Sequence, residues 1–124
     1  MPENFFSIHD PDAGIARKLA EGITTRIFPG DQAMVSLVTV EPGAKGTPHH
    51  HPEEQWGYVL TGGGTRFQGE EAVPFGPGDF WRTPGGVTHT VEAGPEGCTI
   101  LDIFAPPRAA YTKPGEGFAS GEKV

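Results

Sequence analysis

Cysteine, positive charge and long apolar runs are all scarce in this chain of 124 residues. Its single cysteine, Cys98, excludes an intrachain disulfide and indicates a reducing compartment. The neighbours Thr99, Ile100 and Leu101 favour a small buried side chain over a nucleophile. No apolar run approaches the roughly 20 residues that span a bilayer, and residues 1–10 carry acidic residues where a signal peptide would be basic. We therefore expect a cytoplasmic protein with no membrane partner.

The charge balance limits the classes of partner. Nine basic residues stand against sixteen acidic residues, which gives a net charge of −7. This charge disfavours non-specific binding to nucleic acid or to an anionic membrane surface. A small-molecule ligand is the better expectation.

Glycine and proline are abundant, with 19 and 13 residues. Long helices are excluded, because each interior glycine costs about 1 kcal/mol and each proline about 3 kcal/mol relative to alanine. Short β-branched and aromatic runs between turn signals predict strands instead. The predicted strands are Ile23–Phe28, Ala33–Glu41, Gln55–Thr61, Thr65–Gln68, Ala72–Phe75, Asp79–Thr83, His89–Glu92 and Thr99–Phe104. The predicted turns include Gly62-Gly63-Gly64 and Gly94-Pro95, and a short helical turn is predicted only within Ala13–Glu21, since Ile15 and Leu19 are four residues apart.

About eight short strands at regular spacing predict an all-β sandwich or barrel, with a jelly roll among the options. We expect one domain over residues 1–124. It would have an N-terminal arm over 1–13, a barrel over 14–111 and a flexible tail over 112–124.

Four of the five histidines lie in two short segments. His49 and His51 share a face of an extended strand, whereas His50 points to the other face. His89 follows a distant Pro-Gly-Gly turn. Imidazole is the commonest side-chain metal ligand near neutral pH, so the two segments together predict a metal site.

The spacing around these histidines resembles the two motifs of the cupin superfamily, which is an antiparallel jelly-roll barrel with one divalent metal ion inside. The first motif is Gly43, five residues, His49, one residue, His51, three residues, Gln55, six residues and Gly62. The second is Gly78, five residues, Pro84, one residue, Gly86, two residues and His89. The resemblance implies that His49, His51, Gln55 and His89 bind one divalent transition metal ion. Fe, Mn, Ni, Co and Zn all remain open, because affinity order and availability compete.

The chain departs from the cupin pattern at two positions. Gln55 replaces the usual glutamate, and Ala93 stands at the asparagine position of the second motif. A donor set of three imidazoles and an amide leaves the charge of the ion uncompensated, which favours an anionic substrate. Glu53 or Glu54 could replace Gln55 as the ligand. Spacing favours Gln55, and we expect the two glutamates at the rim or behind the ligands.

The chain also resembles the small single-domain cupins that convert unsaturated uronates to their open-chain keto form in pectin degradation. Two segments carry this resemblance: His-x-His-Pro-x-Glu-Gln-x-Gly-Tyr-Val-Leu and Asp-Ile-Phe-Ala-Pro-Pro-Arg. It implies that Asp102 is the acid/base group and that Phe104 and Arg108 contact the substrate, with Arg108 binding its carboxylate. Strand parity places Asp102 and Phe104 on one face without deciding whether that face is inward.

Two further arginines and several aromatic residues are better explained by structure than by function. Arg66 and Arg82 are other possible partners of a substrate carboxylate, but we favour surface charges on strands for both. Most of the other aromatic residues are better explained as barrel packing than as a sugar platform. They are Trp56, Phe67, Phe75, Phe80 and Trp81.

Three functions are compatible with these residues. The first is a metal-dependent isomerase or lyase acting on a 4,5-unsaturated uronate, and the second is an Fe(II)-dependent dioxygenase, which alone would consume oxygen. The third is a non-catalytic protein that binds a sugar or small acid. Edge strands and the habit of the family suggest a homodimer.

Overall fold

The computed structural model describes residues 2–113 and 115–118, and nearly all of its regular structure is strand. The strands are β1 (Ile15–Ala20), β2 (Ile23–Pro29), β3 (Met34–Val40), β4 (Glu54–Gln68), β5 (Glu71–Phe75), β6 (Phe80–Thr83) and β7 (His89–Ala105), and a 3-10 helix covers Ala109–Thr112. The strands pair antiparallel in the order β1-β2-β3-β7-β4-β5, and β6 also pairs with β4. The predicted all-β jelly roll is confirmed. Among the described residues, no helix is long and apolar enough to cross a membrane.

Strands β4 and β7 are long, and both belong to two layers of the barrel. The second half of β7 pairs with β3 and the first half of β4, whereas the first half of β7 pairs with the second half of β4. Isolated bridges also join the start of β7 to the segment that contains Lys45 and His49. Because both strands bend, the sheet folds over itself and encloses an interior.

The predicted turns at Gly62–Gly64 and Gly94-Pro95 are wrong, because β4 and β7 continue through them. The register between the two strands shifts between Val59 and Thr61 and again between Gly62 and Gly64. A side chain at Gly62 would place its Cβ 2.0 Å from the carbonyl oxygen of Gly97, so glycine allows a close approach of the two strands here. These glycines allow β4 and β7 to bulge and bend, as glycine commonly does at the corners of barrels.

The predicted helical turn within Ala13–Glu21 is also wrong, because this segment is strand β1. Arg17 and Leu19 are buried and alternate with exposed residues, which is the two-residue period of a strand. A separation of four residues, as between Ile15 and Leu19, fits one face of a helix and one face of a strand equally well.

The inward faces of the strands form one apolar core. Its fully buried members include Ile23, Ile27, Met34, Val40, Val59 and Ile100. Cys98 belongs to this core and is 5% exposed, as its neighbours predicted. Burial is the main cause that raises the pKa of its thiol to about 11, which keeps it protonated and unreactive at neutral pH.

The described residues near both ends of the chain lie against the barrel. Near the N-terminus, Arg26 donates hydrogen bonds to the carbonyl oxygens of Ile8 and Ala13. Near the C-terminus, Arg17 donates to those of Glu116 and Gly117. Residues 115–118 of the predicted flexible tail are therefore held by β1, whereas residues 114 and 119–124 lie outside the described residues.

Candidate metal centre

Three histidines from two distant segments meet inside the barrel. His49 and His89 exchange backbone hydrogen bonds, with N to O distances of 3.1 and 2.9 Å, so their side chains lie side by side. His51 follows on the same face of the first segment. One ring nitrogen from each histidine lies within 4.8 Å of those of the other two, and all three side chains are buried.

The same ring nitrogen of each histidine contacts the backbone. Each Nδ1 lies within hydrogen-bonding distance of a carbonyl oxygen two residues away, which can only accept. The partners are Thr47 for His49 at 2.7 Å, Glu53 for His51 at 3.1 Å and Val87 for His89 at 2.8 Å. Nδ1 therefore carries the proton of the neutral ring, and the lone pair of Nε2 is left for a metal ion.

Burial also holds the three rings in their neutral form. It is the largest cause that lowers the pKa of His49 and His51 to about 4 and that of His89 to about 2. Metal ions bind neutral imidazole, so these rings need no deprotonation at neutral pH. The buried Nε2 of His89 has no hydrogen-bond partner among the described residues, and a metal ion would provide one.

Gln55 reaches this group of histidines from the inward face of β4. Its Oε1 lies 3.0 Å from Nε2 of His51, and its side chain also hydrogen-bonds Asp102. Since a carboxylate accepts hydrogen bonds, the amide NH2 faces Asp102 and the amide oxygen faces His51. Two acceptors, Oε1 and the Nε2 lone pair, then lie next to each other, an arrangement that a bound cation would stabilise. The residues present therefore fit one divalent transition metal ion bound by nitrogen and oxygen.

The two neighbouring glutamates face away from the three Nε2 atoms. Glu54 forms an exposed ion pair with Arg82, with an O to N distance of 2.6 Å. The Glu53 carboxylate lies 3.4 Å from Nδ1 of His51 and 3.7 Å from Nε of Arg108, on the far side of the imidazole. Both positions agree with the expectation that the glutamates lie at the rim or behind the ligands.

Asp102 and Phe104 both face inward and line a cavity beside the histidines. Asp102 pairs with Gly57 of β4, and its Oδ1 is buried without a hydrogen-bond partner among the described residues. Burial is the main cause that raises the pKa of Asp102 to about 6, against the opposing effects of Arg66 and the Gln55 hydrogen bond. Such a carboxyl group can exchange a proton near neutral pH.

Arg108 lies behind this cavity and is not among the described residues that line it. It is 2% exposed, and its guanidinium stacks over the ring of Tyr111 at 4.3 Å. The ring of Phe104 lies on the cavity side, 5.5 Å from that of His51. A ligand in the cavity would therefore reach Arg108 only if Tyr111 or Phe104 moved.

The structure contradicts the interpretation of Arg66 as a surface charge. Arg82 is a surface charge, as predicted, but Arg66 is 6% exposed and lines the cavity. The register shifts of β4 around Gly62–Gly64 change which side chains point inward, so parity counted from Gln55 fails beyond them. A glycine triplet within an otherwise alternating strand is a bulge signal that could have predicted this.

Two aromatic residues that sequence reasoning left out of the site close the cavity at the histidine end. The ring of Phe118 stacks on His49, with centroids 4.1 Å apart and an interplanar angle of 19°. Tyr111 lines the same cavity. The enclosed space is only ≈ 30 Å³, which is enough for about one water molecule.

An antiparallel jelly roll with histidines from two motifs facing its interior is the architecture of a metal-binding cupin. The Cupin domain model matches residues 36–104, more than half of the chain, and the chain therefore belongs to the cupin family. Among curated relatives, it is 32% identical to the pectin degradation protein KdgF of Dickeya dadantii over 97 residues, which cover 76% of this chain and 87% of that protein. It is 31% identical over 91 residues to oxalate decarboxylase OxdC of Bacillus subtilis, covering 68% of this chain but only 24% of the decarboxylase.

The structural comparison gives the same family. KdgF from Halomonas sp. superposes with a TM-score of 0.76 and 30% identity, over 86% of this chain and 96% of that one. An RmlC-like cupin from Shewanella frigidimarina superposes with a TM-score of 0.75 at 22% identity, over 86% of this chain and 94% of that one, a similarity of fold.

Proposed function

We propose that this chain is a metal-dependent enzyme that opens the ring of a 4,5-unsaturated uronate and converts it to the open-chain keto form. The observation that carries the proposal is the position of Asp102, a buried carboxyl group that hydrogen-bonds Gln55 beside three histidines. The similarity to KdgF supports it, because it extends over 87% of that protein.

The reaction is an isomerisation in which one proton moves. Asp102 removes the proton from the anomeric hydroxyl group of the substrate, a carbonyl forms at C1, and the bond between C1 and the ring oxygen breaks. The electron pair of that bond passes to the ring oxygen, which leaves an enolate across C4 and C5. Asp102 returns the proton to C4, and C5 becomes a ketone. No atoms or electrons are gained or lost, so no co-substrate is required.

The residues around Asp102 suit this sequence of steps. A divalent ion held by His49, His51, Gln55 and His89 would supply a Lewis acid that polarises a substrate oxygen. Gln55 holds the Asp102 carboxylate in place, and burial keeps the pKa of Asp102 near the pH at which it works. Phe104 provides the apolar wall of the cavity.

Arg108 is the proposed partner of the substrate carboxylate. Its charge and planar fork suit a carboxylate, but Glu53 and Tyr111 hold it in the structure. Arg108 can take this role only if the ring of Tyr111 or Phe104 shifts. Arg108→Lys, which keeps the charge but not the fork, should therefore raise KM more than it lowers kcat.

The reaction is tested by following the ultraviolet absorbance of the conjugated double bond of an unsaturated uronate, in air and under nitrogen. We expect the absorbance to fall at the same rate in both, because the reaction uses no oxygen. Turnover that requires oxygen would support the dioxygenase instead. Saturable binding without turnover would support the non-catalytic binding protein.

We also propose a homodimer. Sedimentation tests this directly, because the chain has a mass of 13.2 kDa and a dimer would have twice that mass. A monomer at every concentration would contradict it.

A further inference from the structure

A second concave site lies between β5 and β6, outside the metal centre. We call it the lateral groove, and the residues that matter here are Arg66, Gln68, Glu71, Asp79, Phe80 and Trp81. Its volume is ≈ 450 Å³, within the range of small-molecule sites. The interior cavity of ≈ 30 Å³ is far smaller than a sugar. A ligand the size of a monosaccharide therefore has room in the lateral groove as the structure stands, whereas the cavity beside Asp102 takes one only if Tyr111 or Phe104 moves.

Arg66 is a pre-oriented cation at the base of the lateral groove. Its Nη2 donates to Oγ1 of Thr83 at 2.9 Å, this hydroxyl group donates to Oε1 of Gln68 at 2.6 Å, and the Gln68 amide donates to the carbonyl oxygen of Arg82 at 2.7 Å. The guanidinium also lies 5.0 Å from the centre of the Trp81 ring. This chain of contacts fixes the direction of the guanidinium without supplying an anion.

The charge of Arg66 lacks a close counterion. Among the described residues, no carboxylate lies within 4.0 Å of its nitrogens, and its hydrogen-bond partners are neutral oxygens. Burial lowers its pKa to about 10 against the opposing effect of the Asp102 carboxyl group, so it remains a cation at neutral pH. A buried cation is costly unless an anion compensates it. A carboxylate entering from the groove would do so.

Trp81 and Arg66 form the wall between the lateral groove and the metal centre, since both line the groove and the interior cavity. The buried Nε1 of Trp81 has no hydrogen-bond partner among the described residues. A Cβ on Gly57 would lie 2.5 Å from this nitrogen and 2.9 Å from Oδ1 of Asp102, so both unpaired atoms face the space that the absent side chain leaves. The wall is therefore polar on the side that faces Asp102.

The rim of the groove carries different chemistry from its base. Glu71 and Asp79 are exposed carboxylates, and Asp79 also accepts a hydrogen bond from the backbone nitrogen of Gly76 at 2.9 Å. Phe80 exposes 65% of its surface. Carboxylates accept hydrogen bonds from hydroxyl groups, and an exposed aromatic ring stacks on the apolar face of a sugar. A deep cation below a hydroxyl-accepting rim matches a ligand that carries one carboxylate and several hydroxyl groups.

We propose that the lateral groove binds a sugar acid, with the carboxylate on Arg66 and the hydroxyl groups toward Glu71 and Asp79. The choice of a sugar acid rests on the proposed function, whereas the site itself is defined by Arg66 and the groove.

The test compares D-galacturonate with D-galactose, which lacks the carboxylate. Both are titrated into the metal-loaded Trp56→Phe variant, in which Trp81 is the only remaining tryptophan and reports on the groove by its fluorescence. We expect a saturable response to galacturonate and one weaker by about tenfold or more to galactose, which is the value of one charge-assisted hydrogen-bond pair.

Arg66→Gln should abolish this preference for galacturonate. The matched control is Arg82→Gln, which removes an arginine whose side chain is exposed and paired with Glu54, and it should keep the preference. Phe80→Glu changes an exposed residue on the rim and provides a second variant that does not disturb the core. This variant should weaken the binding of galacturonate more than the binding of galactose.

His89→Ala separates this inference from the proposed function. It removes a metal ligand and should abolish turnover while the Trp81 response to galacturonate persists. A response that disappears with His89→Ala would place the ligand on the metal and overturn the groove. A preference for galacturonate that survives both Arg66→Gln and Phe80→Glu, or the absence of any Trp81 response, would overturn it as well.

Discussion

The side-chain oxygen of Gln55 lies 3.0 Å from Nε2 of His51, which is a hydrogen-bonding distance. When Nδ1 of His51 carries the proton, however, both of these atoms are acceptors. Asp102 holds the other end of the Gln55 amide. The glutamine therefore links the proposed acid/base group to the histidines, and its neutrality matters for both. A glutamate at this position would bring a second negative charge next to Asp102.

Gln55→Glu should strengthen metal retention and weaken turnover. The new carboxylate compensates the ion but repels ionised Asp102 and loses the amide donor that holds it. We expect metal loss in a chelator to slow by about tenfold and kcat to fall by about 10- to 100-fold, as for other changes beside metal ligands. Metal content after dialysis and the turnover assay measure the two effects. Glu54→Gln is the control, because this neighbouring side chain faces outward. A parallel loss of metal and activity in Gln55→Glu would contradict the proposed role of Gln55.

Removing a histidine ligand should empty the metal site without unfolding the barrel. His89→Ala deletes one of three converging nitrogens, and the core lies mainly in other residues. Elemental analysis should find about one metal ion per chain in the wild type and less than about a tenth of that in the variant, since the loss of one of four proposed ligands weakens binding. His50→Ala, next to two ligands but exposed, should retain the ion. A stoichiometric ion in His89→Ala would remove His89 from the ligand set.

Local sequence patterns predicted the parts of the site that depend on spacing within one short segment. Asp102 and Phe104 share a face because strand β7 has a two-residue period. His49 and His51 also face the same interior, although no strand covers their segment and only His49 forms an isolated bridge. Arg66 was misplaced because β4 is bulged, and a bulge depends on how two strands meet across the sheet. Phe118 could not be placed from sequence, since its contact with His49 joins residues far apart in the chain.

Turnover should depend on the ionised form of Asp102. Because the pKa of this group is raised to about 6, it acts as a base only above that pH, and kcat/KM should rise as the pH increases through that region. A bound dication would move the inflection to a lower pH. Asp102→Asn should keep the metal and lower kcat by about 100- to 10,000-fold, as expected for loss of general acid/base catalysis. Asp31→Asn changes an exposed carboxylate in a turn and should behave as the wild type. Unchanged turnover in Asp102→Asn would exclude Asp102 from the mechanism.

The metal-free protein should lose stability in mild acid. The pKa of His49 is lowered from 6.5 to about 4, so the unfolded chain takes up a proton first as the pH falls below 6.5. Stability is thus fully present above 6.5 and decreases toward pH 4, by about 2 kcal/mol at pH 5 for one such histidine. Thermal unfolding of chelated protein between pH 7.5 and 4.5 measures the loss. His49→Gln should make this dependence shallower without abolishing it, because the pKa values of His51 and His89 are also lowered. Equal slopes in the two proteins would mean that His49 is not protonated on unfolding.

We expect Arg17 to control access to the histidine end of the cavity. Its guanidinium donates hydrogen bonds to the carbonyl oxygens of Ala110, Glu116 and Gly117, and this segment carries Phe118 onto the ring of His49. Arg17→Met keeps an unbranched side chain but loses these bonds, so the segment should leave the ring more often. We expect a chelator to remove the metal about tenfold faster, the effect of about 1.4 kcal/mol on the closed state.

The neighbouring residue offers a matched control for Arg17→Met. Lys18→Met removes an exposed side chain whose ion pair with Glu21, at 3.3 Å, lies on the surface. It should leave the rate of metal removal at the wild-type value. Phe118→Ala should accelerate removal as Arg17→Met does, because both changes uncover the same ring of His49. If Phe118→Ala has no effect while Arg17→Met does, Arg17 acts through the stability of β1 and not through closure of the cavity.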